Sequence, residues 1–278
     1  MSGGDCIVQL VAVDTGRSGT KVVTDGMRDY FPSVLGEFRE LRLERKMNRT
    51  DMVIEYKDQR YYVGEVARDE SVSGAQMMVK TKAHQDTKIF ALAALHHVVP
   101  NGAHLFVVTG EPIDNHTAGE KLRMKQLLLG SHDITVNGEE KHFDIVRVEV
   151  AAEGATAGWA LHRPGRYHIV DAGSRTVNFA TMDGGRWIDR LSGSMDFGLE
   201  TGQNISLSMF ARMTIAELSR RVGSLAPIVL VGGKADALVE YMEQYTSDVE
   251  AHPDPLYANA NAFYALGVKA LETATAQQ

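Results

Sequence analysis

One short pattern occurs twice in this chain and restricts its fold more than any other feature. An apolar run, Ile7 to Val13, leads to Asp14 in a glycine-bearing turn, and the β-branched run Lys21 to Thr24 leaves that turn. The same order recurs 157 residues later, where an apolar run ends at Asp171 and Gly173 follows. Each copy predicts a tight β-hairpin whose tip carries an aspartate and glycines. Two such hairpins predict a duplicated unit.

The residues of the two tips are of the kinds that bind phosphate. Glycines allow backbone N–H groups to approach an anion closely, and Lys21 adds a positive charge. Asp14 would repel a bare phosphate, so its presence indicates a hydrated Mg²⁺ between the carboxylate and the phosphate. Each pattern taken alone is also typical of an ordinary hairpin, in which Lys21 is a strand-edge lysine facing solvent. The recurrence favours phosphate binding, with two halves that face each other across a cleft.

A glycine pair follows a buried-type strand in the second half. Residues Ile228 to Val231 precede Gly232, Gly233 and Lys234, which open a helix suited to the sugar and base of a nucleotide. In this order the three motifs resemble the phosphate 1, phosphate 2 and adenosine motifs of the actin/Hsp70/sugar-kinase ATPase superfamily. Within it, the chain is most similar to the bacterial actin-like plasmid-segregation ATPases of the ParM/StbA group. Three further segments fit that group: Tyr62 to Ala67, Val107 to Pro112 and Asp254 to Phe263.

The resemblance implies an α/β chain with the actin-like ATPase fold, in which two ribonuclease H-like domains have a nucleotide cleft between them. Domain I would comprise residues 1–163, completed by a C-terminal helix at 256–278, and domain II would comprise residues 164–255. Only 61 positions separate Asp171 from Gly232. In most actin-like proteins this interval also holds an inserted subdomain, IIB, so the sequence predicts that IIB is absent or reduced. That shortened plan resembles AlfA more than ParM itself.

The resemblance also assigns roles to individual residues. Asp14 and Asp171 would be catalytic and would hold Mg²⁺ through water molecules. Lys21 follows Asp14 by seven positions, the spacing of actin's own phosphate 1 loop, and is therefore assigned to phosphate contact. The residues that would bind the nucleotide, ATP or GTP, are Asp14, Gly16, Ser18, Gly19, Lys21, Asp171, Gly173, Ser174, Arg175, Gly232, Gly233 and Lys234.

Hydrolysis also needs a residue that orients the attacking water. The segment from Val148 to Ala157 resembles the connecting segment of the family, in which a Glu or Gln precedes a small-residue helix. Glu153 is the residue predicted to orient the water, and Glu149 is the alternative. Both could instead be surface carboxylates, because motifs this short recur in unrelated proteins.

Composition restricts the compartment and the partners. The net charge of −7 argues against a broad DNA-binding face, so if DNA is involved, an adaptor protein of the ParR type is expected to read it. The single cysteine, Cys6, excludes disulfides within the chain and cysteine-rich zinc sites, and we expect it to be a small buried thiol. No apolar run is long enough for a membrane span and the first residues carry no signal-peptide pattern, so a cytoplasmic protein is expected.

Local patterns predict several elements away from the motifs. The Asn137-Gly138 pair predicts a hairpin between Asp133 and Val150. The basic stretch Arg39 to Arg49 contains acidic residues and predicts a solvated helix or loop with paired charges. Apolar stripes predict helices at His84 to Val99, Leu207 to Val222, Ala235 to Tyr245 and Leu256 to Leu271.

Three functions remain open at this point. The first is a nucleoside triphosphatase that polymerises and segregates plasmid or other DNA, with polymerisation implied by the resemblance alone. The second is a small-molecule kinase of the same superfamily, similar to a type III pantothenate kinase, although no segment indicates a substrate pocket. The third is a nucleotide-binding scaffold without hydrolysis, which follows if Glu153 does not orient water. The filament is the favoured interpretation.

Overall fold

The computed structural model describes residues 7–76, 81–201 and 205–276, so Cys6 lies outside the described residues. The chain divides into two compact units. Unit 1 comprises residues 1–109, 118–150 and 266–278, and unit 2 comprises residues 110–117 and 151–265. The domain limits proposed from the sequence stay a prediction.

In the described residues, unit 1 is built on a ten-stranded mixed sheet, whose strands β8 and β10 run two residues into unit 2. The strands are β1 (Val8–Thr15), β2 (Gly19–Thr24), β3 (Met27–Pro32), β4 (Val34–Glu37), β5 (Asp51–Tyr56), β6 (Gln59–Gly64), β7 (Ala75–Gln76), β8 (Ala103–Glu111), β9 (Gly130–Val136) and β10 (Glu139–Ala152). Their order across the sheet is β3-β2-β1-β8-β10-β9-β5-β6-β4-β7. The hairpin that carries Asp14 and the hairpin at Asn137-Gly138 are both present, as the sequence predicts.

The helices of unit 1 include one that is buried on nearly every side. They are α1 (Glu65–Glu70), α2 (Gln85–Val98) and α3 (Ala118–Leu128). In α2, Ile89, Phe90 and Leu92 are fully buried and belong to one core with alternating residues of β1, among them Val11 and Val13. Alternate residues of a strand face the same side, so this packing holds β1, the strand that carries Asp14, in place.

The basic stretch of unit 1 is an irregular segment between β4 and β5, as expected. Arg39 pairs with Glu70 and Arg49 with Asp29. Arg45 lies 3.0 Å from a carboxylate oxygen of Asp69, in a third pair. The predicted paired charges are therefore confirmed. 

In the described residues, unit 2 is built on a smaller mixed sheet. Its strands are β11 (Arg166–Ala172), β12 (Val177–Asp183), β13 (Arg186–Trp187), β14 (Gly193–Met195), β15 (Ile228–Val231) and β16 (Val249–Ala251). The order is β13-β12-β11-β15-β16, with β14 beside β12. The helices are α4 (Ala155–Ala160), α5 (Leu207–Val222), α6 (Ala235–Met242) and α7 (Ala258–Thr275), and short 3-10 turns occur at Ile113–Asn115 and Asp189–Leu191. From residue 266 onward, α7 belongs to unit 1.

The two faces of this sheet are both covered, as the strand sequences require. In β15, Ile228 and Leu230 pack with residues of α5 and α6, whereas Val229 and Val231 pack with residues of α4 and the start of α7. A strand that is apolar at every position therefore has helices on both sides. The first turn of α7 is held against this sheet by its small residues Ala258 and Ala262.

Two sequence predictions concern the later part of the chain. Between β12 and β15, the described residues form only β13, a 3-10 turn, β14 and α5, so the predicted absence or reduction of subdomain IIB is confirmed. The last helix, predicted at Leu256 to Leu271, begins two residues later and continues to Thr275. None of the described helices combines the length and apolarity needed to cross a membrane.

Candidate functional site

The first predicted turn places one aspartate between two lysines. Asp14 is the penultimate residue of β1 and lies opposite Lys21 of β2 in the antiparallel register. The Nζ atom of Lys21 lies 3.6 Å from Oδ2 of Asp14, and the Nζ atom of Lys82 lies 3.7 Å from Oδ1. The three side chains are between 4% and 12% exposed. Lys21 is therefore not the solvent-facing lysine of an ordinary hairpin, and Lys82 is a residue that the sequence analysis missed.

The backbone of this turn leaves no room for side chains at its glycines. A Cβ atom on Gly16 would lie 2.8 Å from the carbonyl oxygen of Gly19 and 2.9 Å from Nζ of Lys21. A Cβ atom on Gly19 would overlap the ring of Tyr30. Ser18 is fixed through its carbonyl, which accepts a hydrogen bond from the amide of Ser33 at 3.3 Å. The glycines thus allow a tight turn with the lysine ammonium directly above it.

The second predicted turn, in unit 2, is held by the segment that follows β14. The amides of Leu199 and Glu200 donate to the carbonyls of Gly173 and Ser174 at 3.0 and 2.7 Å. A Cβ atom on Gly198 would lie 2.5 Å from the amide nitrogen of Arg175. The amide of Gly173 donates to the carbonyl of Asp171 at 3.0 Å, so it serves the turn itself.

Each turn contains a buried hydroxyl without a hydrogen-bond partner among the described residues. These groups are Oγ1 of Thr15, directly after Asp14, and Oγ of Ser174, three residues after Asp171. Thr15 is fully buried and Ser174 is 9% exposed. Because a buried polar group without a partner is costly, these hydroxyls indicate that each turn can accept a polar ligand.

The two glutamates proposed to orient water occupy different surroundings. Glu153 is 6% exposed, and its Oε2 accepts a hydrogen bond from Nδ2 of Asn178 at 3.3 Å. Glu149 is 39% exposed at its side chain and pairs with Lys125 at 2.8 Å and Arg147 at 3.6 Å. Glu149 therefore has the surroundings of a surface carboxylate, and Glu153 does not.

Glu153 shares its surroundings with Asp171. Asn178, which binds Glu153, lies directly opposite Asp171 in the β11–β12 register. Oδ2 of Asp171 accepts a hydrogen bond from Nδ2 of Asn259 at 2.8 Å, and Oδ1 of Asn259 accepts one from the amide of Gly154 at 2.9 Å. The sequence analysis did not select either asparagine. Asn178 could have been found from the register of the predicted hairpin, which places it opposite Asp171. Asn259 stands out less, as a polar residue within the alanine-rich start of α7.

The third motif lies at the same edge of the unit 2 sheet. β15 runs parallel to β11 with Val231 opposite Asp171, so Gly232 follows directly beside the second turn. Gly232 has φ of 103°, and a Cβ atom there would lie 2.8 Å from the carbonyl oxygen of Ala172. This position therefore requires glycine. Gly233 and Lys234 follow it as exposed residues, immediately before α6.

The donor set determines which metal could bind here. Among the described residues, no three His, Cys, Asp or Glu side chains come together as a metal-binding group. Asp14 and Asp171 each offer carboxylate oxygens, which suit Mg²⁺, an ion that usually keeps several waters and completes its shell with phosphate oxygens. Each carboxylate, taken within its own unit, fits a hydrated Mg²⁺ that would arrive with a nucleotide, and among the described residues neither belongs to a group that would hold a metal by protein atoms alone.

Comparison with known proteins identifies the family. The model of the family described as "Actin like proteins N terminal domain" matches residues 12–155, which include the first turn and Glu153. This chain belongs to the actin-like protein family. A search of curated proteins finds no match to this actin-like protein.

Solved structures similar to this actin-like protein cover nearly its whole length. The AlfA filament structure from the B. subtilis plasmid pLS32 has 22% sequence identity and a TM-score of 0.77, and it covers 93% of this chain and 98% of its own. An AlfA filament bound to AMPPNP has 24% identity and a TM-score of 0.76, covering 96% and 99%. An archaeal actin homologue in complex with ADP has 18% identity and a TM-score of 0.75, covering 94% and 100%. The actin-like fold expected from the sequence is confirmed.

Proposed function

We propose that this actin-like protein binds ATP or GTP, hydrolyses it, and forms filaments that segregate plasmid or other DNA. The observation that carries the proposal is the buried group of unit 2, in which Glu153 and Asp171 lie beside a glycine turn and are both hydrogen-bonded by asparagines. A carboxylate that can orient water, next to a turn that can accept phosphate, is the arrangement that phosphoryl transfer needs. Similarity to AlfA filaments, one of them bound to AMPPNP, supports both nucleotide binding and self-association.

Each predicted residue has a defined role in this proposal. Glu153 orients the attacking water, and Asp14 and Asp171 hold Mg²⁺ through waters. Mg²⁺ would neutralise the charge that develops on the phosphate oxygens. The nucleotide is bound by the remaining motif residues, Gly16, Ser18, Gly19, Lys21, Gly173, Ser174, Arg175, Gly232, Gly233 and Lys234.

The partners follow from charge and family. With a net charge of −7, direct binding to DNA is disfavoured, so we propose that a DNA-binding adaptor of the ParR type links the filament to its cargo. A cytoplasmic location is part of the same proposal, because plasmid DNA and free nucleotides are found there.

Right-angle light scattering combined with pelleting tests this function. Purified protein receives Mg²⁺-ATP or Mg²⁺-GTP while released phosphate is measured. We expect scattering and phosphate release in the wild type and loss of both in Asp171→Ala. Asp189→Ala is the matched control, because Asp189 is an exposed aspartate of the same unit. It should behave as the wild type.

The outcomes separate the candidate functions. Nucleotide-dependent scattering that Asp171→Ala abolishes supports the filament and identifies the nucleotide. Phosphate release with flat scattering at micromolar protein contradicts polymerisation and favours a soluble ATPase or kinase. Scattering with bound nucleotide but without phosphate release contradicts hydrolysis and favours the scaffold.

A further inference from the structure

The start of helix α7 carries a buried asparagine that makes two hydrogen bonds within unit 2. Asn259 is 8% exposed, although it is flanked by Ala258 and Ala260, which are themselves buried. Its Nδ2 atom lies 2.8 Å from Oδ2 of Asp171, and its Oδ1 atom lies 2.9 Å from the amide nitrogen of Gly154. The side-chain orientation follows from these partners, because the carboxylate needs a donor and the amide needs an acceptor.

The two partners of Asn259 lie on two different segments, and both segments are far from Asn259 along the chain. Asp171 is the penultimate residue of β11, and Gly154 is the residue directly after Glu153, at the start of α4. Gly154 has φ of 71°, so the backbone there adopts a conformation that glycine tolerates best. A hydrogen bond to its amide therefore fixes the point at which the chain leaves Glu153.

Several hydrogen bonds hold Glu153 and its neighbours in place, and those of Asn259 are among them. The amide of Glu153 donates to the carbonyl of Glu111 at 2.9 Å, and its side chain is bound by Asn178. Asn178 in turn lies opposite Asp171 in the hairpin register. Asn178 thus binds the Glu153 carboxylate from the position opposite Asp171, and Asn259 links the Asp171 carboxylate to the backbone directly after Glu153.

The position of α7 is fixed independently of Asn259. The amide of Gly232 donates to the carbonyl of Pro255 at 2.8 Å, which anchors the segment before the helix. Phe263 is fully buried against Gly110, where a Cβ atom would overlap its ring. Removal of the Asn259 amide should therefore change the two hydrogen bonds without moving the helix.

We infer that Asn259 is a positioning residue for hydrolysis, holding Asp171 and the backbone after Glu153 in a fixed mutual geometry. The inference rests on the proposed function, since it concerns the same site. Asn259 does not contact the reacting atoms; it acts through Asp171 and Gly154. Groups that orient primary ligands in this way typically change activity by about 10- to 100-fold when they are removed.

The decisive variant is Asn259→Asp, which keeps the shape and the acceptor but replaces the donor. At pH 8 the new carboxylate faces Asp171, so like charges repel and the hydrogen bond is lost. We expect kcat about tenfold below the wild type at pH 8. The fall in kcat should exceed the change in KM.

Asn261→Asp is the matched control on the same helix. Nδ2 of Asn261 donates to Oδ2 of Asp254 at 3.0 Å, so this substitution also places a carboxylate beside an aspartate, away from Glu153. Its kcat should stay within about twofold of the wild type at pH 8. An equal loss of kcat in the two variants would overturn the inference.

A second variant and a second measurement keep the test independent of folding and of the proposed function. Asn259→Ala should also lower kcat, because alanine can neither donate to Asp171 nor accept from the amide of Gly154. In the same variant, the amide of Gly154 should exchange its hydrogen faster than in the wild type, measured without nucleotide. If the wild type releases no phosphate, the proposed function fails, and unchanged exchange at Gly154 would separately overturn the bridge that Asn259 is inferred to form.

Discussion

At the scale of the residue, some buried polar side chains lie near the two aspartate-bearing turns, and others lie within the hydrophobic cores of the units. His168 belongs to the second kind. It is 1% exposed in β11, and its Nδ1 atom lies 3.0 Å from Oγ1 of Thr181. Burial lowers the pKa of His168 from 6.5 to about 4, since the charged ring would lose its hydration. His168 is therefore neutral in the folded protein at neutral pH.

This pKa predicts a pH-dependent loss of stability. Between about pH 6.5 and pH 4 the unfolded chain binds a proton at His168 that the folded chain does not, so acidification favours unfolding. The slope is at most about 1.4 kcal/mol per pH unit, and the whole effect about 3 kcal/mol. Urea denaturation at pH 7.5, 6, 5 and 4.5 should show a steeper loss for the wild type than for His168→Gln, which cannot gain the proton. Parallel curves for the two proteins would contradict this assignment.

At the scale of the element, the phosphate 1 hairpin depends on close packing between β2 and β3. Lys21 lies opposite Tyr30 in this pair, and the Tyr30 ring lies diagonally across Gly19. The ring occupies the space that any side chain at position 19 would need. The shape of the turn is thus fixed by a residue of the next strand as well as by the turn itself.

Gly19→Ala is therefore predicted to destabilise the protein by about 1–3 kcal/mol, because the methyl group has to displace the ring. In the background of Tyr30→Ala, the further change Gly19→Ala should lose most of this cost. Gly119→Ala is the control: it lies in α3 with no atom near the added Cβ, so it should be neutral or stabilising by about 0.5–1 kcal/mol. Chemical denaturation measures the wild type, the three single variants and the double variant. An equal cost of Gly19→Ala with and without the ring would show that the ring is not the cause.

The sequence predicts the elements whose pattern lies within one short stretch of the chain. The hairpin at Asn137-Gly138 follows from turn chemistry, and α2 follows from a continuous apolar stretch. Lys82 and Asn259 were not predicted, because their importance arises from contacts with Asp14 and Asp171 that lie 68 and 88 positions away along the chain. No local pattern distinguishes such a lysine from a surface residue, and the alanine-rich surroundings of Asn259 do not indicate its partner. Long-range side-chain pairs appear only once the fold is known.

At the scale of the whole molecule, the two units carry comparable turns on separate sheets. In each unit the aspartate is the penultimate residue of a strand that pairs antiparallel with the strand after the turn and parallel with a third strand. Each turn also contains a buried hydroxyl without a partner among the described residues. This similarity agrees with the duplication inferred from the sequence, and it raises the question whether both turns contribute to nucleotide binding.

Thermal unfolding with Mg²⁺-AMPPNP answers that question without any need for hydrolysis. A ligand that binds only the folded state at 100 times its Kd stabilises it by about 2.7 kcal/mol, which corresponds to a rise in Tm of about 5–10 °C for a chain of this size. We expect this rise in the wild type and in Asp25→Ala, whose exposed aspartate lies in the turn after β2. Asp14→Ala and Asp171→Ala should each lose most of it.

The pattern among the variants decides how the two units take part. Loss of the rise in both aspartate variants supports a nucleotide whose binding depends on both turns. Loss in only one of them would assign binding to that unit and would make the other turn an ordinary hairpin, despite its glycines and its buried hydroxyl. A rise in Tm that all variants retain would contradict the roles proposed for Asp14 and Asp171, because ligand binding would then not involve either carboxylate.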